Sequence, residues 1–262
     1  MKLKITQVDA FAQEVFGGNP AAVCILEDWL EDSLMQKIGM ENNLSETAFL
    51  VKEYPGYYIR WFTPLVEVAL CGHATLASAK VLFDLQDFPG DEVTFNSKSG
   101  LLKVKKETNG KFTLNFPATP PELLSAPPEG IFKALDVNEG AIFKGKFDYM
   151  VVLQTQEQIE GLSPDFTLLA TLQSRGIVVT APGNESDFVS RCFYPQSGIN
   201  EDPVTGSAHT MMTPYWANRL GKNKLAAIQL SARKGHLECE LSGDRVLMSG
   251  NAAVYMKGEI EI

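Results

Sequence analysis

Apolar and polar residues alternate over many short stretches of this chain and follow a helical period over only a few. Leu3 and Ile5 alternate with lysines and the run continues through Val8 to Phe11, which predicts a first strand. Gly17-Gly18-Asn19-Pro20 marks a turn, and Ala21 to Leu26 reads as a buried returning strand. Asp32 or Ser33 caps a short helix through Met40, and Thr47 to Lys52 and Tyr57 to Phe62 form a strand pair around Tyr54-Pro55-Gly56. Ala74 to Asp84 is the clearest helix of the first half, with a broad apolar face of small residues. Val93 to Phe95, Leu101 to Lys105 and Lys111 to Phe116 alternate again as strands. Later strands are predicted at Tyr149 to Leu153, Ile177 to Thr180, Phe188 to Tyr194, around Ile228, and over Leu237 to Leu241, Val246 to Met248 and Ala253 to Met256. A second helix runs from about Gly206 to Leu220, with Gly221 at its end and Pro214 expected to kink or break it.

Pro117 to Gly130 holds five prolines and is the best linker, so a boundary is placed there. The resulting halves, 1–117 and 118–251, look like copies. Arg60-x-Phe62-x-Pro64 and Arg191-x-Phe193-x-Pro195 share a pattern at an offset of 131, half of the 262 residues. At that offset Cys71 falls on Asp202, Ala77 on Ala208, and Glu46 on Ile177. A duplicated fold places a cleft between its halves, and each half offers a helix start of small residues, Cys71-Gly72-His73-Ala74-Thr75 and Thr205-Gly206-Ser207-Ala208. Unpaired N–H groups at such starts hold carboxylates, although plain capping explains most of them.

Composition narrows the partners. The net charge of −9 argues against a nucleic-acid binder, which would show a basic stripe. No apolar run approaches the roughly 18–20 residues of a membrane span, and no leader segment is visible. Four scattered cysteines without a CxxC pair read as reduced thiols in a cytoplasmic protein. Three histidines without HxH or HExxH spacing carry no metal signal, and nucleotide-binding glycine motifs are missing.

The chemistry-bearing residues near the helix starts are Glu46, Cys71, His73, Asp202 and His209. Glu46 is flanked by Leu44 and by Ala48-Phe49-Leu50-Val51, so it is either a partly desolvated acid/base carboxyl or an ordinary strand-end glutamate. His73 either meets a carboxylate or caps its helix. Asp202, beside Pro203, reads equally as a turn residue, and Cys71 as an activated thiol or a small buried residue.

Asp9-Ala10-Phe11, Gly18-Asn19-Pro20-Ala21-Ala22-Val23, Asn43-Leu44-Ser45-Glu46-Thr47, Phe62-Thr63-Pro64, Cys71-Gly72-His73-Ala74-Thr75 and Glu201-Asp202-Pro203-Val204-Thr205-Gly206-Ser207-Ala208 occur in order over nearly the whole chain. Together they resemble the phenazine-biosynthesis PhzF family. The resemblance implies an α+β diaminopimelate-epimerase-like fold: two similar domains, each a curved, mostly antiparallel sheet around a central helix. In that fold the last strand, 252–262, can join the first domain. It further implies a cofactor-independent isomerase without a metal, acting on a small cyclic, amino-bearing carboxylate. Glu46 would be the acid/base, with His73 and Asp202 beside it in catalysis, and Asn19, Ser45, Gly72, Gly206 and Ser207 would bind substrate. A homodimer is implied too. The related epimerases use two opposed cysteines; Cys71 resembles the first, but the second helix start has none and Cys192 is a poor substitute. The alternatives are therefore a racemase or epimerase using Cys71, and a carboxylate-binding protein without turnover.

Overall fold

The computed structural model describes residues 1–262. The chain divides into two compact units, Met1–Asn115 with Met248–Ile262, and Phe116–Leu247. The architecture is α+β and sheet-dominated.

The first unit runs β1 (Lys2–Ala10), β2 (Asn19–Leu26), α1 (Asp32–Asn42), β3 (Glu46–Glu53), β4 (Gly56–Phe62), β5 (Glu67–Val68), α2 (Gly72–Leu85), β6 (Glu92–Ser97), β7 (Gly100–Lys106) and β8 (Phe112–Pro117). The second runs β9 (Glu122–Leu123), α3 (Ile131–Leu135), β10 (Ala141–Lys144), β11 (Tyr149–Val152), α4 (Gln156–Glu160), α5 (Phe166–Leu169), β12 (Ile177–Pro182), β13 (Phe188–Tyr194), β14 (Ile199–Asp202), α6 (Gly206–Leu220), β15 (Lys224–Gln229), β16 (Gly235–Ser242) and the start of β17 (Arg245–Gly250), which returns the chain to the first unit at Met248. The last strand, β18 (Ala252–Glu261), pairs antiparallel with β1.

Each unit repeats one ladder. In the first, β2 lies parallel to β3, β3 antiparallel to β4, β4 parallel to β6, and β6 antiparallel to β7, with the short β5 beside β4. In the second, β11, β12, β13, β15 and β16 follow the same sequence of parallel and antiparallel pairings, with β14 beside β13. The parallel pair β4 and β6 needs a crossover connection, which α2 supplies, as α6 does for β13 and β15.

The shared arginines show why the pattern recurs. Arg60 forks onto Glu67 through Nε and Nη2, each at 2.8 Å, and its guanidinium lies 5.2 Å from the Phe62 ring. Arg191 forks onto Glu201 at 2.7 and 2.9 Å and lies 5.2 Å from the Phe193 ring. In each unit the arginine ties the strand to the segment leading to the helix by a bidentate pair.

The constant offset of 131 does not reach the helices. The residues preceding α2 and α6 are Cys71 and Thr205, 134 apart, so Cys71 corresponds to Thr205 and not to Asp202. The second unit inserts a three-residue 3₁₀ turn, Pro195–Ser197, between strand and helix. The alignment of Ala77 with Ala208 fails for the same reason.

Helix α2 is buried on nearly every side because Ala74, Ala77, Ser78 and Ala79 let strands approach closely, and it packs against β1, β2, β3, β7 and β18. Ser78 keeps its hydroxyl satisfied by donating to Ala74 O at 2.7 Å. Helix α6 runs unbroken through Pro214. A proline there removes the N–H that the Thr210 carbonyl would accept; that carbonyl takes the Thr119 N–H instead, at 3.0 Å.

On α6 the fully buried Trp216 stacks on Phe188, with ring centroids 5.8 Å apart, and its Nε1–H donates to Thr180 Oγ1 at 3.0 Å. Thr180 Oγ1 in turn donates to Val189 O at 2.7 Å. Thr180→Val keeps the shape and leaves the buried indole N–H unpaired, so it should cost about 1–3 kcal/mol, read as a lower urea midpoint at unchanged slope. Three helices of the second unit, α3, α4 and α5, are four or five residues each and were not predicted. At that length no 3.6-residue period can be read.

Candidate active site

In the first unit the parallel register of β2 and β3, Ala21 opposite Glu46, brings both strand starts side by side. The turn before β2 requires glycine at one point. Gly18 has φ +60, and a Cβ there would lie 2.1 Å from the Ala10 carbonyl oxygen. Asn19, fully buried, follows it. Glu46 is the first residue of β3, after Asn43 turns the chain in the left-handed region at φ 48. Cys71 immediately precedes α2 in an extended conformation, with Gly72 and His73 opening the helix, all buried.

These elements place four of the expected residues together. His73 Nε2 lies 3.1 Å from Glu46 Oε2, with side-chain exposures of 4% and 12%. His73 Nδ1 lies 3.1 Å from Asn19 Nδ2 and 3.5 Å from Cys71 Sγ. If the Asn19 amide donates, Nδ1 is the acceptor and the ring proton sits on Nε2, facing the carboxylate. Glu46 Oε2 is buried and makes ion-pair distance to the ring without hydrogen-bond alignment. Its lone pairs are thus available to a proton from another donor. His73 faces the carboxylate, and Cys71, the residue at the cap position, makes no side-chain capping bond. Ser45 precedes this cluster, half-buried.

In the second unit Asp202 ends β14, and its carboxylate accepts the Thr205 hydroxyl hydrogen bond. Gln229, at the end of β15 and fully buried, holds the helix start: its Oε1 accepts the Thr205 N–H at 2.8 Å, and its Nε2 donates to Asp202 O at 2.6 Å. Gly206 is the buried first residue of α6, and its N–H belongs to the turn without intrahelical acceptors. Ser207 Oγ accepts from Arg175 Nη2 at 3.0 Å. Arg175 is clamped on the buried Asp148, with Nε donating to Oδ1 at 2.9 Å and Nη2 to Oδ2, and its guanidinium lies 5.5 Å from the Tyr194 ring. Burial opposes the guanidinium charge most, but the Asp148 hydrogen bonds together with the electrostatic attraction of Tyr194, Asp148 and Cys192 outweigh it and push the Arg175 pKa up. With Arg175 occupying a lone pair, the Ser207 hydroxyl hydrogen is directed elsewhere as a donor.

Gln229, Arg175 and Asp148 were missed by the sequence reading. Asp148 alone left a trace, a carboxylate directly before the apolar strand Tyr149–Val152. His209 sits one turn into α6, fully buried, its Nδ1–H donating to Thr205 O at 2.8 Å. Burial lowers its pKa to about 4, so it is a neutral structural histidine near pH 7. All four cysteines are buried and outside any disulfide. Burial pushes the Cys24 and Cys239 thiols up to about 12 and raises Cys192 as well. No helix is long and apolar enough to cross a membrane.

Comparison with known proteins gives the family and the fold. The family model described as phenazine biosynthesis-like protein, PhzC-PhzF, matches residues 8–258. The chain belongs to this family. It is 52% identical to a protein of Pseudomonas aeruginosa described as an uncharacterized isomerase, over 100% of both chains. A crystal structure of a PhzF-family protein from Enterococcus faecalis superposes with a TM-score of 0.96 at 46% identity, covering 100% of each chain. A hydroxyproline epimerase from Agrobacterium vitis shares the fold alone, at 8% identity and a TM-score of 0.65, covering 99% of this chain and 92% of that one. The fold is therefore the epimerase-like duplication, met here in its PhzF form.

Proposed function

We propose that this PhzF-family chain is a cofactor-independent isomerase that moves a proton on a small carboxylate, with Glu46 as the acid/base. The observation that carries the reading is the buried, unaligned Glu46 Oε2 at 3.1 Å from His73 Nε2. A carboxylate there can take a proton from substrate carbon and return it to another position, serving as base and then as acid. His73 is oriented by Asn19 and keeps its Nε2 turned towards Glu46 as the carboxyl gains and loses the proton. The N–H groups opening α2 and α6, at Gly72 and Gly206, and the Ser207 hydroxyl have the chemistry of carboxylate donors. Asn19 and Ser45 of the first unit are further candidates for substrate contact, and Asp202 of the second for catalysis. The isomerase description of the Pseudomonas relative supports the reaction class.

The test is solvent exchange. Cyclic and amino-bearing carboxylates are first ranked by thermal shift, then incubated with the protein in D₂O and followed by NMR. Deuterium at a new carbon is the expected result. Deuterium at the original carbon with inverted configuration, abolished in Cys71→Ala, would identify a Cys71 epimerase instead. Tight binding without any exchange would identify a binding protein and overturn the proposal.

A further inference from the structure

The same corner of the first unit carries a chemistry that proton transfer does not require. We propose that Glu46, Cys71 and His73 form a binding site for a zinc-like transition-metal ion, and that the ion acts as an inhibitor by occupying the base. One ligand atom from each residue lies within 4.8 Å of the other two. Cys71 Sγ is 4.0 Å from His73 Nε2, and Nε2 is 3.1 Å from Glu46 Oε2.

A tetrahedral zinc ion with bonds of about 2.0–2.3 Å separates its ligand atoms by roughly 3.3–3.6 Å. The observed separations bracket that range, so side-chain rotations of order 1 Å gather the three atoms around one ion. One thiolate, one imidazole and one carboxylate suit zinc or cobalt and are a poor set for magnesium or calcium, which take oxygen ligands. Thiolate and carboxylate together supply two negative charges to a dication. That offsets the positive end of α2, which by itself would repel it. Three protein ligands leave the fourth position of a tetrahedron to a small oxygen donor.

The second shell fits as well. Once Nε2 ligates the ion, the ring proton moves to Nδ1, whose neighbour at 3.1 Å is the Asn19 amide. A half-turn of that amide presents its oxygen as acceptor, and such partners orient metal-bound histidines. Binding converts the Cys71 thiol to thiolate and releases its proton, so affinity rises with pH. The ion takes the Glu46 lone pair that proton abstraction needs, which makes it an inhibitor and not a cofactor. Sequence spacing hides such a site because Glu46 comes from β3 while Cys71 and His73 come from the start of α2.

The metal site stands apart from the isomerase reading, on which only the inhibitory role rests, and the binding test needs no substrate. Cobalt(II) is titrated into the chelator-treated, full-length protein under a non-thiol reductant. A thiolate-to-cobalt charge-transfer band that saturates at one ion per chain and is displaced by zinc is the expected result. The band should vanish in Cys71→Ala and persist in Cys239→Ala, and Glu46→Gln should weaken binding roughly tenfold or more. Circular dichroism shows that each variant is folded. Absence of the band in the folded wild type, or its persistence in Cys71→Ala, would overturn the proposal. Neither outcome touches solvent exchange, so the isomerase reading and the metal site fail independently.

Discussion

Glu46→Gln lowers deuterium exchange into a turned-over carboxylate by about 10²- to 10⁴-fold, the range a positioned acid/base group contributes. Glutamine has nearly the same shape, and its backbone still opens β3 opposite Ala21, so the strand start stays in place. What it lacks is a site that can accept a proton. The lost property is therefore chemical, and thermal stability should stay close to the wild type. His73→Gln should retain more exchange than Glu46→Gln, because a glutamine amide can still donate towards the carboxylate that His73 faces at 3.1 Å. Undiminished exchange in a folded Glu46→Gln protein would remove the carboxylate from the mechanism.

The second large effect concerns stability in acid. His209 is fully buried, donates Nδ1–H to Thr205 O, and has no partner at Nε2. Burial disfavours the imidazolium, so its pKa falls from the ordinary 6.5 to about 4 in the folded chain. The unfolded chain binds the proton first. Above pH 6.5 both states are neutral at this site and stability is full. Between 6.5 and about 4 the unfolded state carries more protons, so stability drops as pH falls. Below about 4 both states are protonated and this contribution is gone. The whole loss is on the order of 3 kcal/mol, at about 1.4 kcal/mol per pH unit of separation. His209→Asn retains an N–H that can reach Thr205 O and removes the titration. Urea midpoints measured from neutral pH down to about 4 should fall more steeply in the wild type than in His209→Asn. Parallel curves would show that His209 is not buried neutral.

Solvent exchange and acid stability test different layers of what could be read from the chain. Helices α2 and α6 were legible because each presents small and apolar residues over three or more turns, and the alternating strands were legible from their two-residue period. The arginine-phenylalanine-proline pattern exposed the duplication, since each arginine forks onto a glutamate in the same structural setting. The constant offset then misled at Cys71 and Asp202, because a three-residue turn leaves no mark on a pattern of apolar positions.

The chain's own order of residues determined the elements, the repeat and the family, because these rest on local periodicity and on motifs carried by consecutive residues. Only the tertiary structure decided which side chains meet. Glu46 reaches His73 because β2, β3 and the start of α2 converge, with Asn19 brought in from the turn before β2. Ser207 is held by Arg175, and Arg175 by Asp148, three residues with no local signal in common. Gln229 holds the start of α6 across 24 residues of chain. Such contacts depend on strand register and helix placement, which are set by packing over the whole unit, so no stretch of sequence encodes them by itself.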